Sequence, residues 1–215
     1  MKAVNSLLVI AILLFGTVMT WTYFAVSGDQ PTSLPQAGIG GGPETTNFNS
    51  QFRILLPEHG NLAIQHLTDL YDGRDTPDTS RNLEDNALKL GDVIKQLGTA
   101  ADREAFLRSF RGHIDEYEIY AKGRKENKPA AMNTAKENLQ MHAMDFGNLA
   151  NKLMPSISEQ RGTELMNEHV TLTLAIIDAH AKGDTAQKLR LIKAANAQAL
   201  RFADELAKGA EAANK

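Results

Sequence analysis

Residues 165–196, LMNEHVTLTLAIIDAHAKGDTAQKLRLIKAAN, contain two stretches with apolar residues at helical spacing on either side of a Gly183-Asp184 turn. His169 lies fourteen residues before Gly183, and Asn196 follows that glycine by thirteen. In two antiparallel helices joined by such a turn, these positions lie at nearly the same height, within about one 1.5 Å residue rise. The stretch therefore predicts a helical hairpin with an imidazole and an amide at one level.

The same pattern occurs earlier in the chain. Glu58-His59 places its histidine fourteen residues before Gly73, and Asn86 follows that glycine by thirteen. A looser third copy has His113 on its first helix and His142 in the position of the asparagine. A repeated unit of this length indicates repeated pairs of helices. We therefore predict three degenerate helical hairpins.

Apolar residues recur every three or four positions from residue 51 onward, and turns rich in glycine or proline interrupt them. Six helices with short connections are typical of an all-α, up-and-down bundle. We predict that residues 51–209 form this bundle and that 210–215 are a frayed tail. The apolar stripe of the sixth helix is expected to contain Leu189, Ile192, Asn196, Leu200, Ala203 and Leu206.

An apolar helix is predicted ahead of the bundle. Residues 7–26, LLVIAILLFGTVMTWTYFAV, are long enough to span the roughly 30 Å hydrocarbon layer of a membrane. Lys2 precedes this run and the next positive charge is Arg53, which favours a cytoplasmic N-terminus. Residues 1–27 are thus a membrane anchor or, if cleaved before Gly28, a signal peptide.

Residues 28–50 are rich in Gly, Pro, Ser and Thr and show no apolar stripe, which predicts a flexible linker. We expect a single-pass protein of a bacterial inner or cytoplasmic membrane, attached by its N-terminal helix with the C-terminal domain outside. Cleavage would make the same domain secreted or periplasmic. Both alternatives export the predicted bundle.

Composition excludes several classes of function. The chain has no cysteine, so disulfides, thiolate metal sites and a cysteine nucleophile are excluded. A net charge of −3 with interspersed signs is not that of a nucleic-acid-binding surface. The chain also lacks a P-loop, a Gly-x-Ser-x-Gly elbow and a His-Glu-x-x-His pair, so an enzyme is the less favoured class.

One polar residue stands near the middle of each predicted apolar stripe. These six residues are His59, Asn86, His113, His142, His169 and Asn196. Four imidazoles at related positions point to a ligand site inside the bundle, with the histidines as metal ligands and the asparagines as further ligand-binding groups. The alternative is a layer of satisfied core hydrogen bonds that only sets the register of the helices.

Imidazole ligands suit Zn, Cu, Ni and Fe ions as well as haem iron, so the predicted cofactor is a transition metal or a haem. Glu58 and Glu168 each precede a histidine by one residue and are candidates for ligands, for partners that orient an imidazole, or for solvated charges. Copper is suggested by Met141-His142-Ala143-Met144, although methionines at helical spacing also fill gaps in a core.

Leu-x-x-Glu-His occurs at Leu55–His59 and Leu165–His169 and resembles the first and third helices of hemerythrin-like bundles. That resemblance implies iron bound by histidines in a helical core. Hemerythrin-like proteins also carry a glutamate four residues after a histidine on the partner helices, where this chain has Tyr117 and Phe146. The last hairpin is also similar to small, uncharacterised bacterial helical proteins.

Two functions are consistent with these patterns. The first is a membrane-tethered, extracytoplasmic binding protein that binds a metal ion or small ligand through its His/Asn layer. The second is a non-catalytic interaction or sensing protein in which the layer fixes helix register and outward helix faces meet a protein partner.

Overall fold

A computed structural model describes residues 47–74 and 76–215, and within them every regular element is a helix. This confirms the all-α prediction and the number of helices for that part of the chain. The predicted N-terminal helix and most of the predicted linker lie outside the described residues. The helices are α1 (Phe48–Asp72), α2 (Pro77–Leu97), α3 (Ala100–Lys125), α4 (Pro129–Leu153), α5 (Glu159–Ala181) and α6 (Thr185–Ala213).

Local sequence explains where the helices begin and end. Ser158 and Asp184 accept hydrogen bonds from backbone N–H groups in the first turns of α5 and α6, satisfying donors that a helix start leaves free. Thr99 forms a reciprocal capping box with Asp102 at the start of α3. Gly183, with a φ of 68°, occupies the left-handed conformation in the turn between α5 and α6.

Neighbours along the chain pack against each other, and α6 also packs against α1. In addition α1, α3 and α5 contact one another. The three odd-numbered helices are therefore central, and they carry His59, His113 and His169. No helix of the described residues is both long enough and apolar enough to cross a membrane.

The core consists of two apolar clusters. The first includes Phe52 and Leu55 of α1, and the second includes Leu67 farther along the same helix. On α3 the first cluster ends at Phe110 and the second begins at Tyr117. On α5, Leu165 belongs to the first cluster and Val170 to the second. Each central helix thus places its histidine between the two clusters.

The stripe predicted for α6 is only partly buried. Ala203 and Leu206 are in the core as expected, but Leu189 is 60% exposed and Leu200 is 39% exposed. The buried face instead includes Gln198 and its neighbours toward the C-terminal half. Amphipathic spacing predicts which residues form an apolar stripe along a helix. It does not predict how much of that helix the neighbouring helices cover, or how the helix is rotated about its own axis against them.

Candidate metal centre

His59, His113 and His169 meet in the centre of the bundle. One ring nitrogen from each lies within 4.8 Å of the corresponding nitrogens of the other two. The ring centroid of His59 is 5.5 Å from that of His113 and 6.1 Å from that of His169, and the third pair is 6.3 Å apart. We call these residues the three-histidine site.

Three ring nitrogens of this site are buried without a hydrogen-bond partner among the described residues. His59 and His113 are buried, and neither ring nitrogen of His59 has a partner. Nε2 of His113 is likewise without a partner. A buried polar group left unpaired costs about 1–3 kcal/mol. The arrangement is therefore unfavourable unless something else bonds to these nitrogens.

Two histidines outside the site show the contrast. His66 is also buried, yet its Nε2 lies 2.8 Å from Glu118 Oε1, and its Nδ1 lies 3.3 Å from Ser80 Oγ. His180 lies 2.8 Å from Asp72 and 3.2 Å from the Lys188 ammonium group. Those two rings are accounted for by ordinary hydrogen bonds.

Burial keeps the three imidazoles neutral. Desolvation lowers the pKa of His113 from 6.5 to about 3 and that of His169 to about 4. The pKa of His59 is also well below its usual value, because of burial first and the neighbouring His113 and His169 second. A neutral imidazole has one nitrogen lone pair free for an acceptor role, so all three rings are in the form that binds metal ions at neutral pH.

A cavity of about 40 Å³ adjoins the three-histidine site. Most of its wall is apolar and includes Phe52, Phe110 and Phe146. Its few polar side chains are the three imidazoles and Gln198. The site is therefore shielded by hydrocarbon, which strengthens electrostatic interactions and restricts water.

Two amides bind equivalent positions on the helices that carry the histidines. Asn86 Nδ2 donates to the backbone oxygen of Leu55, four residues before His59, over 3.0 Å. Gln198 Nε2 donates to the backbone oxygen of Leu165, four residues before His169, over 2.9 Å. Within the part of the chain that the structure describes, the amide oxygens of both side chains are buried without a partner.

The other predicted site residues lie elsewhere. His142 is half-buried at the edge of a surface groove, and its Nδ1 is 3.5 Å from Ser109 Oγ. Glu58 accepts a hydrogen bond from Asn86 over 2.9 Å. Glu168 pairs with Arg201 in an exposed salt bridge.

On α6, Asn196 is half-buried, and Gln198 is the amide that reaches the interior. The sequence analysis did not include Gln198. The one feature of the sequence that could have indicated Gln198 is its position, two residues after Asn196. Tyr117 was named only as a position where hemerythrin-like proteins carry a glutamate, yet its ring lies edge-on to His113 and His169, with centroid distances of 5.7 and 6.3 Å.

The donor set fits a single metal ion. Ligand bonds of about 2.0–2.1 Å from imidazole to a tetrahedral ion require nitrogens closer together than 4.8 Å, so the rings must move toward one another when an ion binds. Three imidazoles leave one position of a tetrahedral ion open to a small ligand. A haem does not fit, because the cavity of about 40 Å³ is far smaller than a porphyrin.

Comparison of the chain with protein-family models, with curated proteins and with solved structures found no match in any of the three.

Proposed function

We propose that this protein is a membrane-tethered, extracytoplasmic binding protein that binds one first-row transition metal ion through His59, His113 and His169. The observation that carries the proposal is the convergence of three neutral imidazoles in an otherwise apolar core. Three of their ring nitrogens are buried without a hydrogen-bond partner among the described residues. A metal ion satisfies all three rings at once, whereas hydrogen bonding among the rings satisfies only some of them.

The choice of metal follows from the donors. Three neutral nitrogen ligands without a thiolate or a coordinating carboxylate suit Zn²⁺ and copper best, and they suit Ca²⁺ and Mg²⁺ poorly. Met141 and Met144 do not belong to this set of ligands, because their side chains are exposed on the outer face of α4. We therefore propose zinc or copper bound by imidazoles alone, with a small ligand in the open position.

The arrangement as three hairpins in an up-and-down bundle is also a proposal. It is supported by the short connections between neighbouring helices and by the packing of each helix on the next. Attachment to a membrane rests on the apolar sequence of residues 7–26.

Metal titration of the full-length protein in detergent, after treatment with a chelator, tests the proposal. We expect one equivalent of Zn²⁺ or copper to bind, and His169→Ala to weaken the affinity more than about 100-fold, beyond the range of substitutions next to a ligand. His180→Ala is the matched control on the same helix, because His180 pairs with Asp72. No uptake by the wild type, or equal affinity of both variants, would overturn the proposal.

The second candidate function is an interaction or sensing protein in which this polar layer only sets helix register. The observation in its favour is that Asn86 and Gln198 each bind the backbone of a neighbouring helix. A wild-type protein that takes up no metal but retains a protein partner after His→Leu changes would favour this function.

A further inference from the structure

A surface groove between α3 and α4 leads to the three-histidine site. Its volume is about 360 Å³, and the exposed residues Arg108 and Asp145 and the half-buried His142 line it near the solvent. Its deeper wall shares side chains with the inner cavity. The shared residues are Phe106, Phe110, His113, Phe146, Leu149 and Met166. A single layer of side chains therefore separates the groove from the cavity, and one of the three imidazoles belongs to that layer.

The ring of His142 lies in a space that a glycine leaves open. A Cβ atom at Gly112 would stand 2.8 Å from Cε1 and 3.2 Å from Nε2 of His142. Any other residue at position 112 would force the ring to move. Glycine inside a helix costs about 1 kcal/mol relative to alanine, so the close approach of this imidazole to α3 has a cost in helix stability.

Two other grooves in the described surface have a different position. The grooves beside His66 and beside Met144 have none of the three histidines in their walls. The groove beside His142 is thus the one of these three that contacts a residue of the site.

On this basis we propose that the α3–α4 groove is the access route of the metal ion, and that His142 and Asp145 form an outer binding point that receives the ion before it reaches His113. This inference rests on the proposed metal binding.

Imidazole and carboxylate are both ligands of zinc and copper, and residues three apart on a helix share one face. An ion must lose bound water before it crosses an apolar layer, and outer ligands replace part of that water. The phenylalanines of the shared layer stand between this outer point and the cavity, so the ion must displace them to enter.

The rate of metal loading tests the route in the full-length protein. Apoprotein is mixed with Zn²⁺, and chelator-driven release is measured separately on the loaded protein. We expect His142→Ala to slow loading about tenfold or more, the scale at which a focusing cleft raises association rates. Release must slow by the same factor, because the ion leaves by the path through which it entered. Gly112→Ala, which displaces the ring, is expected to slow both steps as well.

Charge provides a second test with a matched control. Asp145→Lys is expected to slow loading of the cation, whereas Asp115→Lys makes the same charge change in the groove beside His66 and should leave the rate unchanged. Equal loading rates of wild type and His142→Ala would overturn the route. A loss of equilibrium affinity in His142→Ala as large as that of His169→Ala would instead make His142 a ligand of the bound ion and overturn the outer binding point. Failure of wild type to bind metal would overturn the proposed function itself.

Discussion

The α1–α2 and α5–α6 pairs use the same local pattern with different polar contacts. In both, an amide of the second helix donates to the backbone oxygen four residues before the histidine. Asn86 also donates to Glu58, but it does not line the cavity. Gln198 lines the cavity beside the imidazoles. Asn86 therefore only joins two helices, whereas Gln198 joins two helices and also lines the cavity at the site.

The histidines of the two pairs differ as well. His59 is 3% exposed and has two other histidines close enough to lower its pKa, whereas desolvation alone lowers the pKa of His169. The first pair therefore contributes the more deeply buried imidazole, and the second contributes the one that is nearer to solvent.

The largest expected effect is on the pH dependence of apoprotein stability. Below pH 6.5 the unfolded chain takes up protons that the folded imidazoles exclude, so the free energy of unfolding falls as the pH drops from about 6.5 toward 4. For His169 the shift to a pKa of about 4 corresponds to about 3 kcal/mol. We expect His169→Leu to remove the part of this dependence that ends near pH 4, and His59→Leu to remove a further part, because burial also lowers the pKa of His59.

Urea unfolding at a series of pH values measures this difference. Asp102 and Glu118, each with a pKa lowered to about 2 by hydrogen-bonded partners, lose their stabilising effect only below about pH 4.5, so the effect of the histidines is measured between pH 6.5 and 4.5. A flat stability profile between pH 6.5 and 4.5 in wild-type apoprotein would contradict the neutral, desolvated state of the three-histidine site.

A smaller effect is expected on metal affinity from the two amides. Gln198→Leu should weaken zinc or copper binding about 10–100-fold, the usual effect of losing a polar group beside the ligands. Asn86→Leu should leave the affinity near that of wild type, because Asn86 binds Leu55 and Glu58 away from the cavity. Calorimetric titration of both variants gives the comparison, and equal losses would show that the two amides have the same role.

The smallest effect concerns the glutamates that precede the two histidines. Glu58→Ala leaves the buried Asn86 with one acceptor fewer and should cost about 1 kcal/mol of stability. Glu168→Ala breaks an exposed pair with Arg201 and should cost less than about 0.5 kcal/mol. Denaturant midpoints of the two variants measure the difference, and a larger loss for Glu168→Ala would reverse the predicted order.

Much of the fold could be predicted because the signals are local. Asp184 caps α6, and Gly183 has the positive φ expected of a turn glycine, as the breaker residues of that stretch indicated. The spacing of the sequence also predicted that the histidines of α1, α3 and α5 lie close together, because each stands at the middle of an apolar stripe. Whether they bind metal remains a prediction.

The sequence did not predict which polar residues of α4 and α6 would face the centre. His142 lies at a groove rather than among the other imidazoles, and Gln198 rather than Asn196 is buried. A helix turns about 100° per residue, so a modest rotation about its axis exchanges one polar residue for another at the interior.

The order of residues by itself determined that the described chain is helical, where its turns fall, and that each of three helices carries an imidazole on its apolar side. Caps, breakers and the 3.6-residue period act within a few residues and need no partner. The tertiary structure decided which of those rings meet and which amide lines the cavity beside them. That choice depends on how each helix rotates to pack its small and large side chains against several neighbours at once.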